Sequence, residues 1–587
     1  MRRLSPWFAL LLASLSCLRM AHAAESIQVE VVGVEGTLRD NVLALSSLQR
    51  HAESKQLDRD VVERLLQRAP GEARRALQPF GYYEPRVGTE LTPSGDGWRA
   101  RITIDPGKPV LLVEQQVEIT GAGRDERFLQ QVVAQSPLRT GARLSHPDYD
   151  QLKGELLRTA AGHGYLDATF TRAELLVDPA AREARAHVTL DTGQRYRFGP
   201  TTIEQDFLKE SLVRRYLRYR EGEWYDAAAL LRTQFALDDS QYFAVVEVLP
   251  EERDRENRIA PIRIVSERNK RNLYTIAAGY ATDTRARGTL GWEDRRLNRS
   301  GHRLRAELRG SSVEESIGLT YVIPWTDPAL EKLAFELRGF REQRADVETS
   351  GTSLRAGLTQ VRGNWQRVLF VTADTTSDEV TTTSGESTLI DRKQSKLLVP
   401  GISFASLPPG FLGVNAVPRG LQVELIGSTS ALGSDTDFTR ILVRDERRFR
   451  LTDRLRLQLR AEVGASAVGE FQELPAQYRF FAGGDRSVRG YGYEELSPVD
   501  ADGNRIGGRH LMTGSIELQR SLPRNFVAAA FVDAGNAIDD FGDPLEYSAG
   551  IGLRYRLPFL SIGLDLAQSL SEPHRKPRLH LNFTPEF

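Results

Sequence analysis

A chain of 587 residues with 78 basic and 79 acidic side chains has room for several domains and no net field to draw it to nucleic acid or an acidic surface. Its one cysteine, Cys17, lies near the N-terminus, so a chain cleaved beyond that point can form neither a disulfide nor a thiolate metal site. No later run of apolar residues is long enough for a membrane-spanning helix, which leaves a soluble periplasmic protein or an outer-membrane barrel for a large exported chain.

Arg2 and Arg3 precede an apolar run from Leu4 to Leu18, and Ala21-His22-Ala23 offers a small-x-small cleavage site. Residues 1–23 therefore read as a secretory signal peptide, too short to span a bilayer. A lipoprotein reading would modify Cys17, but Ser14 stands where an apolar residue is wanted.

From Glu25 to Arg268 strands and helices mix. Ser26–Val32 alternates, with Ile27, Val29 and Val31 on one face. Asp58–Ala69 has helical spacing up to a break expected at Pro70-Gly71. Val110–Thr120 reads as a strand and Tyr149–Ala161 as a helix. A weak repeat of about 80 residues emerges. Phe80-Gly81-Tyr82-Tyr83, Gly162-His163-Gly164-Tyr165 and Ser240-Gln241-Tyr242-Phe243 each end a helix and start an aromatic-led strand. Each unit then closes with a polar strand, at Trp98–Asp105, Ala184–Asp191 and Arg258–Ser266. Three tandem α+β modules are expected, over 24–108, 109–194 and 195–268, with one larger α+β domain as the alternative.

The chain changes period at Leu273. From there to Phe587 alternating segments of about ten residues follow one another. Leu455, Leu457, Leu459, Ala461 and Val463 alternate with Arg454, Arg456, Gln458, Arg460 and Glu462. Leu304, Ala306 and Leu308 alternate with Arg303, Arg305, Glu307 and Arg309. A soluble sandwich also alternates, but so dense a charged face suits a wet lumen opposite a lipid-facing band. Candidate strands start near residues 273, 286, 303, 316, 332, 353, 364, 395, 418, 438 and 454, and after a long turn-rich segment near 511, 526, 545, 559 and 577. That is an even sixteen, so residues 269–587 are expected to form a 16-stranded antiparallel transmembrane β-barrel. Leu579, Leu581 and Phe583 share a face of the last strand, and the terminal Phe587 keeps their parity as a C-terminal signal.

No Gly-x-Ser-x-Gly, His-Glu-x-x-His or phosphate-binding glycine loop is present, so no enzymatic activity, cofactor or metal is expected. Asp500-x-Asp502-x-Asn504 starts like a calcium loop, but Arg505 and Leu511 stand where glycine and glutamate are needed, and a polar turn fits better. The informative residues lie in the turn-rich segment, where Gly483-Gly484-Asp485-Arg486-Ser487-Val488-Arg489-Gly490-Tyr491 reads as a shaped loop presenting Arg489. In the next strand Glu517 points away from Ile516 and Leu518. In the one after it, Phe531, Asp533 and Gly535 oppose Ala530, Val532 and Ala534. An unpaired charge facing hydrocarbon costs several kcal/mol, roughly, so both carboxylates must face the lumen, where Arg489 can engage them.

Val488-Arg489-Gly490-Tyr491, Ser515-Ile516-Glu517-Leu518 and Phe531-x-Asp533-x-Gly535 together resemble the signature elements of the outer-membrane assembly-factor superfamily. Gly291-Trp292-Glu293-Asp294 through Asn298-Arg299-Ser300-Gly301 resembles the superfamily's early hairpin. The resemblance implies periplasmic POTRA modules ahead of a 16-stranded barrel, and an inward loop whose Arg489 meets Asp533 with support from Glu517. Three modules, and no room for an N-terminal plug helix, point to TamA-type members rather than BamA-type or two-partner secretion proteins. By the same resemblance the partners are unfolded outer-membrane or autotransporter clients, the lipid bilayer and a TamB-like inner-membrane-anchored periplasmic protein, with no nucleic acid. A passive porin is the rival from another class. The lateral seam is expected between Leu273, Ala277 and Ala281 of the first strand and Leu579, Leu581 and Phe583 of the last, with Ala277 facing Leu581. Pro577 and Pro585 bracket that last strand and shorten its ladder.

Overall fold

Alternating strands that each bury one face, set against helices with an apolar stripe, build the N-terminal part of a computed structural model that describes residues 27–52, 59–94, 97–384, 387–408, 413–558 and 560–585. The expected signal peptide with Cys17, and the terminal Phe587, lie outside the described residues.

In the first module β1 (Ile27–Val32), β2 (Arg86–Ser94) and β3 (Gly97–Asp105) form a sheet in the order β1-β3-β2, its first pair parallel and its second antiparallel. Helices α1 (Gly36–Leu45), α2 (Ser47–Arg50) and α3 (Arg59–Leu77) cover it. Ile27, Val31, Val62, Ala69, Ala73, Ile102 and Ile104 form the shared core. The helix expected to break at Pro70 continues to Leu77. Pro70 removes one ladder hydrogen bond, but Ala73, Ala76 and Leu77 beyond it are fully buried, and that burial keeps the helix going.

The pattern repeats with β4 (Leu111–Thr120), α4 (Arg127–Ala134), α5 (His146–Gly162), β5 (Thr169–Asp178) and β6 (Glu183–Asp191), ordered β4-β6-β5. It repeats again with β7 (Arg197–Glu204), α6 (Glu210–Arg214), α7 (Ala227–Asp239), β8 (Phe243–Pro250) and β9 (Ile259–Arg268), ordered β7-β9-β8. The chain divides into two compact units. One comprises Met1–Pro200, Glu221–Ala228 and Glu252–Pro261, the other Thr201–Arg220, Ala229–Glu251 and Ile262–Phe587.

Within the second unit sixteen antiparallel strands close a barrel. They are β10 (Asn272–Ala281), β11 (Arg285–Asp294), β12 (Arg303–Gly310), β13 (Glu314–Pro324), β14 (Glu331–Arg344), β15 (Val347–Arg362), β16 (Trp365–Ser384) and β17 (Ser387–Ser406), followed by β18 (Gln422–Ser428), β19 (Phe438–Arg450), β20 (Leu455–Val468), β21 (His510–Ser521), β22 (Phe526–Ile538), β23 (Glu546–Arg556), β24 (Leu560–Ser569) and β25 (Arg578–Pro585). The expected count and fold class hold. Three boundaries move. β15 and β17 begin well before the expected 353 and 395, because their leading residues, 347–352 and 387–394, do not alternate apolar with polar. β18 begins after the expected 418, where Pro418 has no N–H to give a ladder.

The outward faces carry exposed Ile276, Leu290, Leu308, Ile317, Leu337, Leu354, Ile516, Val532, Ile551 and Leu579. A surface so rich in large apolar residues is unstable in water and suited to lipid. The inward faces pair charge with charge, as in Arg444–Glu462 at 2.7 Å and Arg338–Glu342 at 2.7 Å.

Segments of the third module within this unit dock on the turns that begin the barrel. Lys209 donates its backbone N–H to the Arg299 carbonyl at 2.8 Å, and the Tyr242 hydroxyl donates to the Gly301 carbonyl at 2.5 Å. Arg218 reaches both carboxylate oxygens of Asp327 at 2.6 and 2.9 Å.

Candidate functional site: the inner loop and the seam

Residues 469–509 link β20 to β21, and half of their apolar side chains are buried. Phe480, Ala482, Val488, Tyr491 and Leu496 pack with Leu442 of β19, Leu511 of β21 and Ala537 of β22, all inward-facing. The segment therefore lies inside the barrel. Ala476 N–H donates to Asp378 of β16 at 2.7 Å, and Glu494 accepts from Arg344 of β14 at 3.1 Å, so opposite walls hold it as well. Asp500 accepts from the backbone N–H groups of Asp502 and Asn504 at 2.9 and 2.8 Å, the geometry of a polar turn.

Arg489 is 2% exposed. Its Nε donates to Asp533 Oδ2 at 2.7 Å and Nη2 to Asp533 Oδ1 at 2.9 Å, a two-pronged fork, while its own backbone N–H adds a third bond to Oδ2 at 3.1 Å. Nη1 donates to Glu517 Oε2 at 2.7 Å. Strand alternation places both carboxylates inward, beside exposed Ile516 and Val532. Arg489 Cζ lies over the Phe531 ring, 3.3 Å from its centroid, which is worth up to about 2 kcal/mol in a desolvated site. Gly535 lets β22 come close to β21, since a Cβ there would lie 2.5 Å from the Met512 carbonyl oxygen. Val488 is fully buried, and the Gly490 N–H is spent on His580. Burial works to lower the Arg489 pKa, but the hydrogen bonds and charge of Asp533, then the charge of Glu517, outweigh it and hold the pKa above its ordinary value.

Three further members of the cluster escaped sequence reasoning. Asp565 of β24 accepts from Arg489 Nη1 at 3.2 Å, Arg554 of β23 reaches Glu517 at 3.0 Å, and Arg460 of β20 donates to Ser515 Oγ at 3.3 Å. Three guanidiniums then face three carboxylates, and a balanced set is what a buried site requires. Alternation marks Asp565, because Leu564 and Leu566 are exposed on either side of it.

Tyr491 is fully buried and hydrogen-bonds Glu546 at 2.6 Å and Ser569 at 2.7 Å through its hydroxyl. Tyr491→Phe keeps the ring packing and leaves those two partners short of a bond. The loop is expected to lose about 1–2 kcal/mol of local stability, read as faster amide exchange around residue 491 with the barrel ladders unchanged.

The ladder closing the barrel is short. β10 meets β25 through one register pair, Ala281 with Asn582, whereas each of the other neighbouring pairs has at least five, the shortest being Gly401–Ala405 of β17 against Gln422–Ile426 of β18. A Thr282 N–H bond to the Leu581 carbonyl at 3.0 Å continues it. Leu273 and Ala277 of β10 pair only with Glu293 and Thr289 of β11, so the register sets Ala281, not Ala277, against the last strand. Leu579, Leu581 and Phe583 pair with Leu566, Leu564 and Ile562 of β24. The closure is this small because β25 is eight residues long, and antiparallel register puts its middle against the far end of β10.

Comparison with known proteins bears on the fold that carries this site. Residues 297–584 match the Omp85 superfamily domain, and residues 28–106 match the POTRA domain TamA domain 1. A stretch of 135 residues is 30% identical to the outer membrane protein assembly factor BamA of Nitratidesulfovibrio vulgaris, covering 22% of this chain and 17% of that protein. The match therefore spans only a small part of that relative's length. The crystal structure of BamA from Haemophilus ducreyi lacking POTRA domains 1–3 superposes with a TM-score of 0.65 at 16% identity, over 81% of this chain and 99% of that one. CdiB from Acinetobacter baumannii aligns at a TM-score of 0.45 and 13% identity, over 81% and 90% of the two chains. The chain thus carries an Omp85 superfamily barrel domain behind α+β modules, the first of them a POTRA domain of the TamA type.

Proposed function

We propose that this protein is an outer-membrane assembly and translocation factor of the TamA type, which delivers β-barrel or autotransporter-type clients through the seam between β10 and β25. The observation that carries the reading is the closure by a single register pair. Sheet edges attract strands, and a barrel exists to remove them. Here the backbone of β10 from Asn272 to Tyr280 has β11 on one side and no register partner in β25 on the other. That edge can template an incoming strand by β-augmentation. The modules would stand in the periplasm of a Gram-negative cell, receive unfolded clients and meet a TamB-like inner-membrane-anchored protein. A passive porin needs an open lumen, whereas residues 476–496 are packed against the inward faces of β14, β16, β19, β21 and β22.

The test uses the register. Thr282 and Leu581 are hydrogen-bonded, so by alternation Ala281 and Asn582 are a non-hydrogen-bonded pair, with Cα atoms about 4.5 Å apart. That separation suits a disulfide. Ala281→Cys with Asn582→Cys, oxidised in proteoliposomes, is expected to reduce client insertion at least about tenfold and to recover on reduction. Undiminished insertion with the seam covalently closed would sink the lateral reading. Co-purification with a TamB-like protein from membrane extracts tests the partner separately.

A further inference from the structure

We infer that the inner loop is a latch across the seam, in which Asp485 ties the end of the first strand to His580 of the last. The inference rests on the proposal that this seam is the working part of the barrel. Asp485 donates its backbone N–H to Asp283 Oδ2 at 2.6 Å, in the turn that leaves β10. Its carboxylate accepts from Thr282 Oγ1 at 3.4 Å and from His580 Nδ1. The other imidazole nitrogen, Nε2, accepts the Gly490 N–H at 2.9 Å. Thr282 Oγ1 in turn accepts the Leu581 N–H at 3.2 Å. One loop thus grips both strands at the point where they pair.

The grip is built rather than incidental. His580 is fully buried, and the Asp283 side chain is 5% exposed. Gly484 sits against Asp283 with a φ of +98°, and a Cβ there would lie 2.5 Å from Asp283 Oδ2. No other residue type permits that approach without displacing the carboxylate. Burial, and then the neighbouring Asp485 carboxylate, raise the Asp283 pKa, while the Asp485 N–H bond works to lower it. The latch adds bonds where the ladder has fewest. Two strands joined by one register pair are weakly held, and each loop contact is a large share of what keeps them together.

Asp283, Asp485 and His580 also have the make-up of a cation site, their ligand atoms lying within 4.8 Å of one another. The tautomer argues against it. Because Nε2 accepts from Gly490, the ring proton sits on Nδ1 and points at Asp485. A cation on Nδ1 would force that proton to Nε2, against the Gly490 N–H. The three groups are therefore assigned to a hydrogen-bond relay.

The experiment is hydrogen exchange on the full chain in membrane vesicles, following peptides over 276–284 and 578–583. His580→Phe keeps the volume and removes both nitrogens. It is expected to speed exchange in those peptides about tenfold or more, while peptides over 526–538, held by Arg489, stay unchanged. Asp485→Ala removes the carboxylate that holds Thr282 and His580, keeps the backbone N–H on Asp283 and leaves the β25 sequence unaltered, and should act in the same direction. Unchanged exchange in the seam peptides of both variants overturns the latch. So does wild-type protection that rises with added Mn²⁺ or Zn²⁺ and falls with a chelator, since a cation would then be the tie. Fast exchange in His580→Phe with the seam disulfide restoring protection, but with client insertion indifferent to both, would leave the latch standing and remove lateral opening as the function.

Discussion

Arg489→Ala is expected to destabilise the loop by about 3–5 kcal/mol, the cost of removing one partner from a buried ion pair. The charge balance explains the size. With Arg489 gone, Arg460 and Arg554 face Glu517, Asp533 and Asp565, leaving one buried negative charge in excess. The loss falls mostly on Asp533. Glu517 keeps Arg554 and Gln519, and Asp565 keeps Arg554. Asp533 loses its fork and retains only the Ser515 hydroxyl and the residue 489 backbone N–H. Arg489→Ala combined with Asp533→Asn should therefore recover part of the loss, with a coupling on the order of 2 kcal/mol in a double-mutant cycle. Arg489→Lys should recover little, because one ammonium cannot span Asp533 and Glu517 as a planar fork does. The barrel itself should still migrate as a folded, heat-modifiable species, since none of its ladders uses the Arg489 side chain. Chemical unfolding in micelles gives the free energies, and amide exchange over residues 483–496 reports the loop. A change below about 1 kcal/mol in Arg489→Ala would mean that water fills the cluster and that the arginine is not the loop's anchor.

The barrel and the two carboxylates facing Arg489 were legible because lipid and lumen impose opposite chemistry on alternate residues. Glu517 and Asp533 could be placed from their exposed neighbours Ile516, Leu518 and Val532 alone. The same rule reaches further than the obvious strands. It puts Asp565 inward between Leu564 and Leu566, and His580 inward between Leu579 and Leu581, although His580 alone carries no motif. Parity stops at the turns. Asp283 and Asp485 lie where the chain reverses, and a turn side chain has no face assigned by its neighbours. Their meeting depends on a sequence separation of about two hundred residues, which no local pattern encodes. The extent of the seam was hidden for a related reason. Which residues of β10 and β25 alternate is local, but how far two strands overlap is set by the stagger accumulated around the whole barrel. The helix through Pro70 is the opposite case, where a strong local signal yields to tertiary burial of Ala73, Ala76 and Leu77.

Gly301→Ala is expected to cost about 3 kcal/mol and to release segments 201–220 and 229–251 of the third module from the first barrel turns, loosening the seam and leaving the other ladders intact. The turn between β11 and β12 adopts a φ of +74° at Gly301, and a Cβ there would lie 2.5 Å from Leu212 Cδ2 and 2.8 Å from the Tyr242 hydroxyl. The conformation alone costs a substituted residue roughly 1–3 kcal/mol. Relieving the clash would pull away the Gly301 carbonyl, which accepts the Tyr242 hydroxyl at 2.5 Å, and would disturb Arg303, stacked 4.8 Å from the Tyr242 ring centroid. Amide exchange in α6 and in 229–239 should rise together with the spread of spin-label distances between those segments and β12. Gly310→Ala, on the same strand with no atom within 4 Å of its added Cβ, is the matched control and should change neither. The docking also assigns unequal roles to the two sides of the seam. Arg271 holds Asp294 at 2.7 Å and Arg296 donates to the Asn269 carbonyl at 2.5 Å, so the root of β10 is fixed to β11, and β11 to the docked turn. β25 has no such footing: it is short, proline-ended and held across the seam by one register pair, the Thr282–Leu581 bonds, the Arg578–Asp283 pair at 3.7 Å, the Arg287 bond to the Phe583 carbonyl and the loop. Seam opening should accordingly move β25 against a stationary β10. In Gly301→Ala, where β10 loses its support, exchange should rise on both sides of the seam instead of on the β25 side alone. Equal exchange on the two strands in the parent protein would show that the docked segments do not hold the first strand still.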